Sequence, residues 1–196
     1  MSQFIGSGAQ GPAGPAGPQG PAGSGGALNQ VEQVVCSGQA HIDLTTGLTG
    51  AYQNYFILLD GIDASAQQDL QMLVSTDGGA TWQAGASYDW VLCPNTAFAN
   101  GTVTPTGSGT IGDAKFVLGG GVLSALQMQG YFYGSQNGAQ TKGYNLTGTY
   151  NSGGTSIFNS AFGRWKSNTV VNALRFLFAG GATFNAGIVT LYGVQE

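Results

Sequence analysis

From Leu28 onward, apolar and polar positions alternate in short runs. Clusters of Gly, Asn, Asp and Ser interrupt them roughly every 8–12 residues, the spacing of a sandwich or barrel. The alternation predicts strands at Val31–Cys36, Tyr52–Asp60, Leu70–Ser75, Tyr88–Leu92, Lys115–Leu118, Leu123–Tyr133, Tyr144–Tyr150, Ser156–Phe162, Ala173–Phe178 and Ile188–Val194. So many antiparallel strands in one domain predict an all-β fold, a jelly-roll-like antiparallel β-sandwich head over residues 27–196. No stretch of helical length carries an amphipathic period; the most helix expected is a short turn at Ala64–Asp69.

Ahead of Leu28 the period changes from two to three. Gly8, Gly11, Gly14, Gly17, Gly20, Gly23 and Gly26 recur in strict register, and Pro12, Pro15, Pro18 and Pro21 each follow a glycine. This is the G-X-Y pattern of a collagen triple helix: only glycine fits at the crowded axis, and proline presets the polyproline conformation. A flexible linker needs glycine but not in register. Residues 8–26 are therefore expected to form a collagen-like stalk of about 55–60 Å, and the chain a homotrimer. The tract is short and has no proline at Y, so the head must hold the three chains together. Residues 1–7, with the apolar pair Phe4 and Ile5, are the expected docking peptide onto a larger particle.

Composition sharpens this picture. Hydrophobic residues make up 42% of the 196, enough for a core, but only 7% are charged, against about 25% in ordinary soluble domains. Such a surface suits an extracellular or particle-bound protein. Net charge is −4 with five basic residues, which excludes the basic footprint that nucleic-acid binding requires. No apolar run approaches the ~20 residues of a membrane-spanning helix. Residues 1–7 lack the basic and apolar regions of an export leader, so assembly inside a cell followed by release is expected. Cys36 and Cys93 have no metal-ligand or redox spacing and are expected to be reduced and buried.

The candidates for chemistry are few. Ser75-Thr76-Asp77-Gly78-Gly79-Ala80-Thr81-Trp82 resembles the Asp-box, S-x-D-x-G-x-T-W. Sialidases repeat that box and use three arginines; with one box and two arginines, Arg164 and Arg175, a structural hairpin is expected. Asp60 with Asp63, and Asp77 with Asp89, are the nearest approaches to a glycosidase pair, but all fall at predicted turns. Asp60-Gly61-Ile62-Asp63 lacks the ligand density of a calcium loop. His41 is the sole histidine, and no G-x-S-x-G elbow accompanies it. Gly119-Gly120-Gly121 has no following Lys-Ser/Thr and reads as a turn or kink. Asn100-Gly101-Thr102 and Asn145-Leu146-Thr147 match glycosylation sequons, which have no use without a secretory route. No enzyme, metal or cofactor is expected. Residues 131–154 mix Tyr with Ser, Gly and Asn, the mixture that binding loops use.

Two stretches near the C-terminus carry a resemblance. Val170-Val171-Asn172-Ala173-Leu174-Arg175-Phe176-Leu177-Phe178-Ala179-Gly180-Gly181 is one, and Phe184-Asn185-Ala186-Gly187-Ile188-Val189-Thr190-Leu191-Tyr192-Gly193-Val194 the other. They resemble a recurring ending of bacteriophage fibre and virion structural proteins. Phe56–Ile62 and Tyr88-Asp89-Trp90 sit where that family has similar strands. The resemblance implies the β-sandwich head of a tail fibre or other virion fibre, assembled in the host cytoplasm and carried on the virion, and it implies no catalytic residue. The expected partners are two further copies of the chain, a phage structural protein at residues 1–7, and a host-surface glycan. Aromatic faces that stack on sugars are sought at Trp90, Tyr131, Tyr133, Tyr144, Tyr150 and Trp165. Alternative readings are a capsid head fibre or decoration protein, a polysaccharide depolymerase tip, and a collagen-stalked protein of a bacterial spore surface.

Overall fold

The computed structural model describes residues 27–97, 103–105 and 107–195. The G-X-Y segment with Gly8, Gly11, Gly14, Gly17, Gly20, Gly23 and Gly26, the pair Phe4 and Ile5, and the sequon at Asn100 lie outside the described residues.

Strands dominate, and among the described residues there is no α-helix. In chain order they are β1 (Leu28–Val35), β2 (His41–Leu44), β3 (Tyr55–Ala64), β4 (Gln68–Ser75), β5 (Tyr88–Leu92), β6 (Asn95–Ala97) and β7 (Val103–Pro105). There follow β8 (Ser108–Asp113), β9 (Phe116–Val122), β10 (Ser124–Tyr133), β11 (Lys142–Ser152), β12 (Thr155–Trp165), β13 (Ala173–Phe178) and β14 (Phe184–Val194). Two antiparallel sheets form a sandwich. The large sheet runs β1-β14-β3-β10-β11-β12-β5-β8, with β6 and β7 continuing beside β12; the small sheet runs β2-β13-β4-β9.

Alternation builds both layers, because successive strand residues point to opposite faces. In β3, Tyr55, Ile57 and Leu59 are buried between the sheets while Phe56 and Leu58 point outward, half-exposed. In β12, Ile157, Asn159, Ala161 and Trp165 point inward. At the centre of the core, Phe116 meets the rings of Tyr88 and Tyr144 edge-on, each at 4.6 Å.

Three glycines set how closely strands approach. A Cβ on Gly130 would lie 1.9 Å from the Asn145 carbonyl oxygen, and one on Gly148 would lie 1.9 Å from that of Gln127. The β10–β11 pairing therefore admits no side chain at either position. A Cβ on Gly193 would meet the Tyr52 ring at 2.3 Å, so the glycine near the end of β14 is required by that ring.

Some expectations need correction. Ala64–Asp69 forms no helical turn: Ala64 ends β3 and Gln68 begins β4, because the Ser65 amide is taken by the Thr183 carbonyl at 3.0 Å and its hydroxyl by the Thr183 amide at 2.9 Å. Cys36 is buried, and burial pushes its thiol up to about 11. Cys93 is exposed, since it lies just past β5, where its amide continues the ladder to Ser160. The strands β2, β6, β7 and β8 lie outside the predicted runs. β8 is a Gly/Ser/Thr edge strand with no buried position to mark a period.

Candidate functional site

The antiparallel ladders give the sandwich two distinct ends. Leu28 faces Val194, Gly193 faces Tyr55, Tyr55 faces Phe132, and Tyr133 faces Gly143, so all lie at one end. Ala27 is tied there by the Gln195 amide at 3.1 Å. At the far end lie the turns after β3, β9, β11 and β13. Their groups bond to one another: the Gln67 amide donates to the Ser152 hydroxyl at 3.0 Å, and the Gly121 N–H donates to Asp69 at 2.8 Å. Gly153 and Gly154 make the β11–β12 turn with positive φ. This far end is polar and rich in Gly, Ser and Gln, the groups that exchange hydrogen bonds with many partners.

The second feature is the outer face of the large sheet. Tyr192, Phe56, Tyr131, Asn145, Phe162 and Val91 form a single cross-strand row over six strands. Phe56 packs edge-on to Tyr131 at 5.3 Å and lies 6.1 Å from Tyr192; Tyr131 stacks on Tyr133 at 5.6 Å. Asn145 accepts from the Tyr131 amide and the Tyr133 hydroxyl, each at 3.1 Å. Next to this row, a shallow trough of about 510 Å³ is lined by Phe56, Gln129, Tyr131, Asn145 and Phe162. A second, of about 610 Å³, is lined by Leu58, Asp60, Gln127, Thr147, Thr149 and Phe158. Every exposed large apolar side chain among the described residues (Leu28, Val35, Val91, Ile111, Tyr133, Phe158, Phe162) is on this face.

Of the six aromatic candidates for ligand contact, only Tyr131 and Tyr133 come together on a surface. Tyr144, Tyr150 and Trp165 are buried and are corrected to core residues. Each uses its polar tip inside the fold: Tyr144 donates to the Val117 carbonyl at 3.0 Å, Tyr150 to that of Gly120 at 3.0 Å, and Trp165 to the Ser87 hydroxyl at 3.1 Å. Burial raises both tyrosine hydroxyls above their ordinary pKa. Trp90 is half-buried against the core, donates to Asp113 at 2.8 Å, and lies at the opposite parity of β5 from Val91, apart from Tyr131 and Tyr133. Phe56, Tyr192, Phe158 and Phe162 were absent from the candidates. Their signal is in the sequence: each is apolar at the parity opposite to the core residues of its strand.

The Asp-box is a turn. Asp77 accepts from the Thr81 hydroxyl and amide at 2.6 and 2.9 Å and from the Ser75 hydroxyl at 2.7 Å, which hold its carboxyl down at about 2. Gly78 and Gly79 take positive φ. Trp82 lies under the Arg175 guanidinium, 4.4 Å from its ring centre, and Arg175 grips Asp43 with two bonds of 2.7 Å. His41 lies 3.5 Å from Asp43 at the surface. The other described acids are likewise engaged: Glu32 accepts the amides of Thr45, Thr46 and Gly47, Asp63 that of Ala125, and Asp89 pairs with Arg164 and Lys166. Among the described residues, no three His, Cys, Asp or Glu side chains gather where they could hold a metal ion. No described helix is long and apolar enough to cross a membrane.

No protein-family model, curated protein or solved structure matches the chain.

Proposed function

We propose that this chain is a non-enzymatic, homotrimeric fibre protein of a bacteriophage virion, with a jelly-roll-like head that presents its far end to the host surface. The observation that carries the reading is the polarity of the sandwich. Ala27, where the G-X-Y segment meets the head, is at one end. The turns built of Gln67, Ser152, Gly153 and Gly154 are at the other. A collagen-like stalk fixed to a particle by residues 1–7 points those turns outward. The strand order supports the jelly-roll assignment: β1-β14-β3-β10 in one sheet and β2-β13-β4-β9 in the other interleave the two ends of the chain, as two nested Greek keys do. The C-terminal resemblance supports the virion setting.

Amides and hydroxyls at the far end suit the hydroxyls of a host-surface glycan. Single contacts of this kind are weak, and three heads on one stalk multiply them by raising effective concentration. The test is binding of labelled full-length chain to host cells and to their purified surface polysaccharide. Binding that falls at least tenfold in Gln67→Ala/Ser152→Ala supports the reading. Undiminished binding overturns the far-end assignment. Immunogold labelling of purified particles tests the virion setting, and gold on spores instead of particles overturns it.

A further inference from the structure

We infer that the outer face of the large sheet is the seam between copies of this chain. The inference rests on the three-chain part of the proposed function and names the surface through which those chains meet.

The sequence already brings three chains to one point. A G-X-Y repeat has no single-chain fold, because its glycines pack against two other strands at the axis. The repeat ends at Gly26, and Ala27 is tied to Gln195 beside β1 and β14, at the margin of this face. The two companion chains therefore arrive next to Leu28, and the surface beginning there is the first they can share.

That surface has the composition of an interface. The row Tyr192–Phe56–Tyr131 continues through Phe162 and Val91, and on the edge strand β8 Ile111, 85% exposed, stands opposite Asp89, two residues along from the row. Aromatic residues are enriched at the centres of interfaces and Lys and Glu depleted; no Lys or Glu side chain interrupts this row. The outer face of the small sheet exposes no large apolar side chain among the described residues and carries Arg175, paired to Asp43 and stacked over Trp82. An exposed apolar row on one face and none on the other marks the large sheet's outer face as the interaction surface, with the Asp89–Arg164 and Asp89–Lys166 ion pairs at its Ala27 end.

Eight strands lie side by side, and at ~4.8 Å spacing and ~26 Å height they present ~1,000 Å². Each copy in a ring of three divides that face between two neighbours, ~500 Å² to each, so each contact buries ~1,000 Å² in total, the lower limit for a specific interface. The three contacts close a ring that leaves no sticky surface open. Tyr131 and Tyr133 then become seam residues rather than sugar platforms.

The test compares the full chain with Tyr131→Glu, Phe162→Glu and, as a control on the small sheet's outer face, His41→Glu. Light scattering reads the mass, and near-ultraviolet circular dichroism reads the packed core. The expected result is three chains for the unaltered protein and for His41→Glu, and one chain with an intact core for the two seam variants. Three chains in both seam variants overturn the seam but leave the trimer standing. One chain in the unaltered protein overturns the trimer, and the inference with it. Hydroxyl-radical footprinting of the unaltered chain needs no variant to fold. Phe158, Phe162, Ile111 and Tyr133 should resist oxidation despite their exposure in the single chain; ready oxidation of all four overturns the seam.

Discussion

Lys142 offers a quantitative test of how the Ala27 end is held together. It opens β11, its side chain is fully buried, and among the described residues no carboxylate pairs with it. Instead its ammonium donates to three main-chain carbonyls, those of Asn137, Gln140 at 2.7 Å and Asn168 at 3.0 Å. One cation thus ties the β10–β11 turn to the segment between β12 and β13. Replacing it with methionine keeps the stem and removes the donors. Removal relieves the ammonium's desolvation, which favours the variant, but leaves three carbonyls without partners. An orphaned buried acceptor costs about 1–3 kcal/mol. Gln140 and Asn168 belong to exposed residues and can regain water, so the lower bound applies, and Lys142→Met should cost about 3 kcal/mol. For a domain of this size that lowers Tm by roughly 6–12 °C. The assay is urea unfolding at fixed protein concentration, because an oligomer's midpoint depends on concentration. The midpoint should fall with the slope unchanged. Burial also holds the Lys142 ammonium below its ordinary pKa. Between that lowered value and about 10.4 the unfolded chain keeps a proton that the folded chain has released, so this group makes stability rise with pH in that window. The rise should vanish in Lys142→Met. A loss under ~1 kcal/mol, with the alkaline slope unaltered, would refute the carbonyl cage as a source of stability.

Three further outcomes follow from the same geometry. The Asp77 carboxyl sits at about 2 in the fold and near 3.9 in an unfolded chain; its contribution is whole above about pH 4 and disappears as pH falls towards 2, so an acid titration of Asp77→Asn should lack that limb. Gly148→Ala forces a methyl against the Gln127 carbonyl and should cost about 3 kcal/mol by overpacking, read as a lower thermal midpoint, whereas Gly138→Ala, with open space around it, should be near neutral. Arg175→Lys loses the two-pronged grip on Asp43 and the flat contact with Trp82; a drop of about 1 kcal/mol is expected, as the site is partly solvated, and a quenching change in tryptophan fluorescence should accompany it.

Most of the fold was legible because strand alternation is a local property. Tyr88–Leu92 and Ala173–Phe178 carry their own period and run as expected. β2 and β8 escaped notice for opposite reasons: the first is four residues long, and the second buries nothing. The Asp-box turn was legible in full, since Ser75, Asp77 and Thr81 bond within a few residues of one another.

The candidate surfaces were not legible in the same way. Tyr131 and Tyr144 stand in similar sequence surroundings, yet one points out of the large sheet and the other lies against Phe116 in the core. Their fates separate only because β10 pairs with β3 on one side and β11 on the other, while β9, in the opposite sheet, covers the inward residues of β11. By itself the sequence determined where strands run, which residues within a strand share a face, and that a glycine stands at every third position from 8 to 26. Periods of two and three residues are set by neighbouring backbone, so they are written locally. Only the tertiary structure decided which face of each strand is covered, which end of the sandwich receives Ala27, and that the exposed aromatic residues gather on one sheet. Those outcomes depend on partners such as Tyr192 and Phe56, brought together across most of the chain, and no local pattern encodes such a distance.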